Sequence, residues 1–161
     1  MSETTEISCQ CECGQSQINL TKPPMIRFHC HCTICQSFYS KPFSDVTVMW
    51  ANNVSLNKVD KVEYSRPGLL LKRGACTECQ QPILAYMTIL PGVRLAFVPG
   101  NRYDDQSILP KASAHIFYHR SQHELDDGIG KYKGFIRSEL MISWLILKSA
   151  VLQVLGKQGG Y

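Results

Sequence analysis

The stretch Cys9-Gln10-Cys11-Glu12-Cys13-Gly14 is answered far along the chain by Cys76-Thr77-Glu78-Cys79. Zinc holds thiolates at about 2.3 Å in a tetrahedron, which brings paired sulfurs to roughly 3.8 Å. A C-x-x-C turn curls two thiolates onto one point. A C-x-C pair does the same on a strand, where alternate side chains share a face. The two motifs therefore read as halves of one four-cysteine structural centre, tying an N-terminal strand to a distant turn. Cys9, Cys11 and Cys13 share strand parity, and Gly14 favours Cys11 and Cys13, because glycine lets the backbone turn around the metal. Cys9 is then expected to be a spare, partly exposed thiol.

A third group, Cys30-His31-Cys32-Thr33-Ile34-Cys35, supplies three thiolates within six residues. Three protein ligands and an open position is the pattern of catalytic zinc, whereas structural zinc is closed by four. Such a position lets a metal polarise a carbonyl, activate water or hold a substrate thiolate. Other readings stay open: recruitment of Cys9, closure by His115, His119 or His123, or a metal-free, reduced group. His29 and His31 are nearest in sequence, but on an extended strand they face away from Cys30 and Cys32.

The rest of the chain is compatible with a zinc-organised β fold. It has 161 residues, enough for one domain (1–161) with a core that needs no staples, so its eight cysteines call for another explanation. Charged residues make up 19% and hydrophobics 44%, which excludes a wholly disordered chain. Strands are expected at Asp45 to Trp50, Lys61 to Tyr64, Gly92 to Val98 and Ser113 to His119, with an edge strand ending at Leu20. Pro and Gly separate them at Pro42, Pro67-Gly68, Pro82, Pro91-Gly92 and Pro99-Gly100. The apolar run from Leu140 to Leu155 is too short to span a bilayer and contains Lys148. It reads as an amphipathic helix over 138–156, started near Ser138 and stopped at Gly156, with a face wide enough for a homodimer contact or a loose membrane association. The opening Met1 to Ser8 lacks a basic and apolar leader, so the expected location is the cytoplasm, where thiols stay reduced.

The cysteine pattern resembles the glutathione-dependent formaldehyde-activating enzyme family, which includes centromere protein V-like members. The resemblance is carried by Cys11-Glu-Cys13-Gly14, Cys30-His31-Cys32-Thr-Ile-Cys35, Cys76-Thr-Glu-Cys79 with Pro82, and Pro110 followed by Ala114-His115-Ile116-Phe117. It extends over residues 7 to 135 and leaves the C-terminal helix outside. The resemblance implies a mainly β, mostly antiparallel folded-over zinc fold, the β-tent. It also implies two Zn2+ ions, one on Cys11, Cys13, Cys76 and Cys79 and a catalytic one on Cys30, Cys32 and Cys35. The implied reaction joins glutathione to formaldehyde as S-hydroxymethylglutathione, a carbon–sulfur lyase running in reverse. The chain departs from the family pattern where Thr77, Glu78 and Gln80 replace glycine near the second C-x-x-C, and where Ser8 and Cys9 precede the first pair.

An enzyme of this kind would bind a thiol, let it attack an aldehyde carbon, and protonate the resulting alkoxide. Glutathione carries two carboxylates, so Arg27, Lys41, Arg66, Lys72 and Arg73 are candidates for a cationic rim, and Phe38, Tyr39 and Phe43 for a pocket wall. A zinc-stabilised module binding a protein or nucleic acid is the rival reading, and a redox sensor acting through Cys32 or Cys9 is a third. The net charge of +4 is mild, and only Lys131-Tyr-Lys133-Gly-Phe-Ile-Arg137 interleaves aromatics with bases as single-strand binders do. Two zinc ions on seven thiolates would lower that charge to about +1. The nucleic-acid signal is correspondingly weak.

Overall fold

The computed structural model describes residues 6–65 and 71–156; the first residues of the polar opening, Arg66 and Pro67-Gly68 lie outside them. The chain is mainly β, with ten strands and two α-helices among the described residues. In order these are β1 (Ile7–Gln10), β2 (Gln17–Leu20), β3 (Ile26–Cys30), α1 (Thr33–Tyr39), β4 (Ser44–Trp50) and β5 (Val54–Leu56). They continue with β6 (Val62–Ser65), β7 (Leu71–Cys76), β8 (Pro82–Leu90), β9 (Val93–Pro99), β10 (Ala112–Ile116) and α2 (Phe135–Val154). Two compact units result, one from residues 6–24, 48–65 and 71–109, the other from 25–47 and 110–156.

In the first unit, β1, β2 and β5 form a small antiparallel sheet, and β9, β8, β7 and β6 lie side by side as an antiparallel meander. The inward positions of these strands build the core: Ile18, Leu20, Val62, Ile83, Ala96 and Val98 are all buried. Gly74 is required there by close approach. A Cβ on it would lie 2.8 Å from Val62 Cγ1 and 2.9 Å from the Leu84 carbonyl oxygen. Cys9 corrects an expectation: it is fully buried in this core, not partly exposed. The alternation of β1 points it inward opposite Ile18, and burial, helped by Asp104, pushes its thiol up to about 12.

In the second unit the strand order is β10-β3-β4. β10 runs parallel to β3, unlike the antiparallel pairs of the first unit, and sets His115 opposite His29 and Ile116 opposite Cys30. Helix α1 is an element the sequence reading did not anticipate. Helix α2 starts at Phe135, earlier than Ser138, because Gly134 takes the N-cap position with φ 84°. Ser138 instead lies buried inside the first turn. Its hydroxyl accepts from the Phe117 backbone N–H at 2.8 Å and donates to the Gly134 carbonyl at 2.7 Å. That bond steadies Phe117, which sits at φ 53°, a costly left-handed conformation for a residue with a bulky side chain. No helix among the described residues is long and apolar enough to cross a membrane.

Candidate metal centres and a buried histidine chain

The first sulfur group lies within the first unit. Cys11 and Cys13 stand on the turn that follows β1, not on a strand as expected. The turn is closed by Gly14 N–H donating to the Cys11 carbonyl and Cys11 N–H donating to the Ser16 carbonyl, both at 3.0 Å. Gly14 has φ 70°, so the glycine does supply the reversal. Cys76 ends β7 and Cys79 follows on a tight turn, where Gln80 N–H donates to the Cys76 carbonyl at 2.9 Å. Gln80 stands near where the family pattern has glycine, and it adopts φ 57°.

The four sulfurs all lie within 4.8 Å of one another. Cys11 and Cys13 are 3.3 Å apart, and Cys13 and Cys76 are 3.7 Å apart, which fits the roughly 3.8 Å of a tetrahedral tetrathiolate. Ser16 N–H donates to Cys11 Sγ at 3.3 Å. Burial raises the Cys76 thiol, but hydrogen bonds from Ser16 and from the N–H groups of Cys79 and Glu78 outweigh it and bring it down to about 6. Cys13 goes the other way, to about 12. The Gln15 N–H favours its thiolate, but desolvation and the neighbouring sulfurs of Cys11, Cys79 and Cys76 prevail. Four thiolates this close repel one another strongly, and a divalent cation is what lets them ionise together.

The second group lies within the other unit. Cys30 ends β3, Cys32 is the N-cap of α1, and Cys35 lies in its first turn. The capping geometry gathers them: Cys32 Sγ accepts from Cys35 N–H at 3.3 Å, and the Cys32 carbonyl accepts from Gln36 N–H at 2.9 Å. Gln36 Nε2 braces the turn by donating to the His31 and Arg120 carbonyls, each at 2.9 Å. The three sulfurs lie within 4.8 Å of one another. Hydrogen bonding with Cys32 and Cys35, reinforced by burial, raises the Cys30 thiol far above its ordinary range. Cys35 is raised too: its bond with Cys30 favours the thiolate, but Cys32 and burial outweigh it. Among the described residues no histidine nitrogen, carboxylate or fourth sulfur joins this group, so His115, His119, His123 and Cys9 are not gathered to it. Both groups could hold a metal ion, and the all-sulfur donor sets are compatible with zinc.

Beside Cys30 and Cys32 runs a hydrogen-bonded chain that sequence reasoning missed. Asp127 Oδ1 accepts from Lys131 Nζ at 2.8 Å, and Asp127 Oδ2 pairs with His115 Nε2 at 2.7 Å. Lys131, against a burial effect, holds the Asp127 carboxyl well below the usual range, helped by the Ile129 N–H and His115. An ionised carboxylate accepts only, so His115 Nε2 carries the proton and His115 Nδ1 is left as acceptor. His31 Nε2, 2.9 Å from it, must then donate. The tautomers follow from the partners, and they leave His31 Nδ1 a buried lone pair with no partner among the described residues. His31 is 1% exposed, and burial, then His115 and His29, lower it to about 4. Phe43 packs against the His29 and His31 rings, at 4.9 and 5.0 Å between centroids, and Tyr118 stands edge-on to His31 at 5.1 Å.

Other candidates sort differently. Arg27 is tied to Asp45 by two hydrogen bonds of 2.8 and 2.7 Å, so its charge is already answered. Lys72 and Arg73 lie on β7, in the unit that holds the four-sulfur group. Phe38 and Tyr39 pack edge-to-face on α1 at 5.5 Å. Lys131, first of the aromatic–basic patch, is committed to Asp127, and Tyr132 is held through its backbone by His115 and Tyr118.

Fold and site together define a mainly β protein with two cysteine groups that could hold metal ions. The chain belongs to the glutathione-dependent formaldehyde-activating enzyme family, whose model matches residues 6–120. No curated protein matches it. The matched span contains both sulfur groups and His115, and it ends before Asp127, Lys131 and α2. Membership points to enzymatic chemistry concerning glutathione and formaldehyde.

Proposed function

We propose that the chain, 1–161 acting as one zinc-binding domain, is a carbon–sulfur lyase-like enzyme of the S-hydroxymethylglutathione synthase type. Cys11, Cys13, Cys76 and Cys79 would hold a structural Zn2+, and Cys30, Cys32 and Cys35 a second one. The observation that carries this reading is the convergence of three thiols where β3 meets α1, with no fourth protein donor among the described residues. Zinc bound there would supply Lewis acidity and favour the ionised form of a thiol.

The chain's own residues do the rest. Cys30, Cys32 and Cys35 supply the negative donor set, and the Cys35 N–H steadies the Cys32 sulfur. His31, kept neutral, adds no positive charge beside them, and Phe43 supplies an apolar flank. In the reaction the substrate thiol gives up its S–H proton, and the sulfur lone pair forms the C–S bond to the aldehyde carbon. The carbonyl π pair moves to oxygen and takes up a proton, so the step is redox-neutral. None of the eight cysteines, all among the described residues, is joined in a disulfide, which suits a reducing compartment such as the cytoplasm.

Two measurements test the reading together. Metal analysis should find close to two zinc ions per chain, and NMR exchange should show glutathione and formaldehyde combining faster than in buffer, with Cys32→Ser abolishing the acceleration. A second group that stays empty, or two bound zinc ions without acceleration, defeats it. The latter result would favour a binding module.

A further inference from the structure

Helix α2 is apolar on two sides. Through Ser138 it is fastened beside β10, and it packs against β10 and β3, with Ile142, Leu145 and Ile146 half-buried. On the other side large side chains stand in water: Leu140 is 66% exposed, Trp144 59%, Leu147 58%, Val151 48% and Val154 87%. Their numbers advance by four, three, four and three, the spacing of a coiled-coil seam. Ile136, also exposed, extends the stripe toward the N-terminus.

We propose that this stripe is a self-association surface, on which α2 pairs with α2 of a second copy. Three observations choose that occupant. The alternating spacing keeps the seam along one line of a helix, which is what a second helix needs for knobs-into-holes packing. The area is sufficient: six such side chains leave on the order of 700 Å² per copy, and two copies together reach ~1,400 Å², within the range of specific interfaces.

The flanking charges also argue against a lipid surface. At 3.6 residues per turn, Glu139 lies on one side of the stripe, and Arg137 and Lys148 lie on the other. An interfacial helix on an anionic bilayer carries cations along its polar side, and α2 has a second apolar side in that place. A helix apolar on both faces is the pattern of one buried between two layers. The surface lies wholly beyond the family-matched residues, so it is independent of the proposed chemistry.

Sedimentation equilibrium of the zinc-loaded full chain tests this, at about 1–100 µM, where a standard-sized interface is populated. The expected result is a dimer, weakened at least ~10-fold by Trp144→Glu and by Leu147→Glu, since central aromatic and aliphatic anchors dominate such contacts. Gln10→Glu, exposed on β1, should leave it unchanged. Zinc content and far-ultraviolet dichroism show whether each variant is folded, and Leu140→Glu replaces any that is not. A monomer across the whole range overturns the proposal, as does a dimer indifferent to the substitutions. A monomer that pellets with phosphatidylglycerol vesicles overturns it in favour of a membrane surface.

Discussion

Gly74 shows how much one missing methyl group decides. Its neighbours Val62 and Leu84 leave no room for a Cβ, and one of the obstructing atoms is backbone oxygen that cannot swing aside. Gly74→Ala should therefore lower stability by about 1–3 kcal/mol, as overpacking does, measured by urea denaturation. His31 is the other decisive residue. Its folded-state pKa lies below that of an unfolded chain, so acid favours unfolding: the contribution is intact above about 6.5 and is lost between there and about 4. The His31 ring proton should titrate near 4 in an NMR pH series. A midpoint near 6.5 would show that the His31 ring is not held buried and neutral. The C-H-C spacing made His31 visible in the sequence. Its lone pair was not visible, because Asp127 and Lys131 reach His115 only through the fold.

At the scale of elements, the sequence marked strand positions better than helix starts. Asp45 to Trp50 reads as β-branched and becomes β4 almost residue for residue. Ser138 looked like a helix cap, yet Gly134 begins α2 and Ser138 serves the neighbouring β10 exit instead. Ser138→Ala should strand the Phe117 N–H and cost about 1–3 kcal/mol, seen as a lowered melting temperature. A change smaller than that would mean Phe117 holds its backbone without help. Helix α1 is not legible in the sequence because its seven residues are set by the cysteine cap and have no apolar periodicity of their own.

At the scale of the whole molecule, the four-sulfur group joins the turn after β1 to the end of β7, and metal there should act as a staple. Zinc in such sites contributes apparently ~10–16 kcal/mol at neutral pH, comparable with a domain's whole stability. Chelation should therefore cause cooperative loss of structure, followed by circular dichroism. Cys13→Ser should lower bound zinc and melting temperature together while leaving the second group able to bind. If chelation leaves the melting curve unchanged, the centre is not structural.

The sequence by itself determined the cysteine grouping, the family and the mainly β class, because ligand spacing and strand alternation are local properties. Tertiary structure alone decided that Cys9 is core, that Arg27 is spent on Asp45, and that Asp127 orients His115 and His31. Those contacts join residues distant in the chain, and packing, not spacing, brings them within hydrogen-bonding distance.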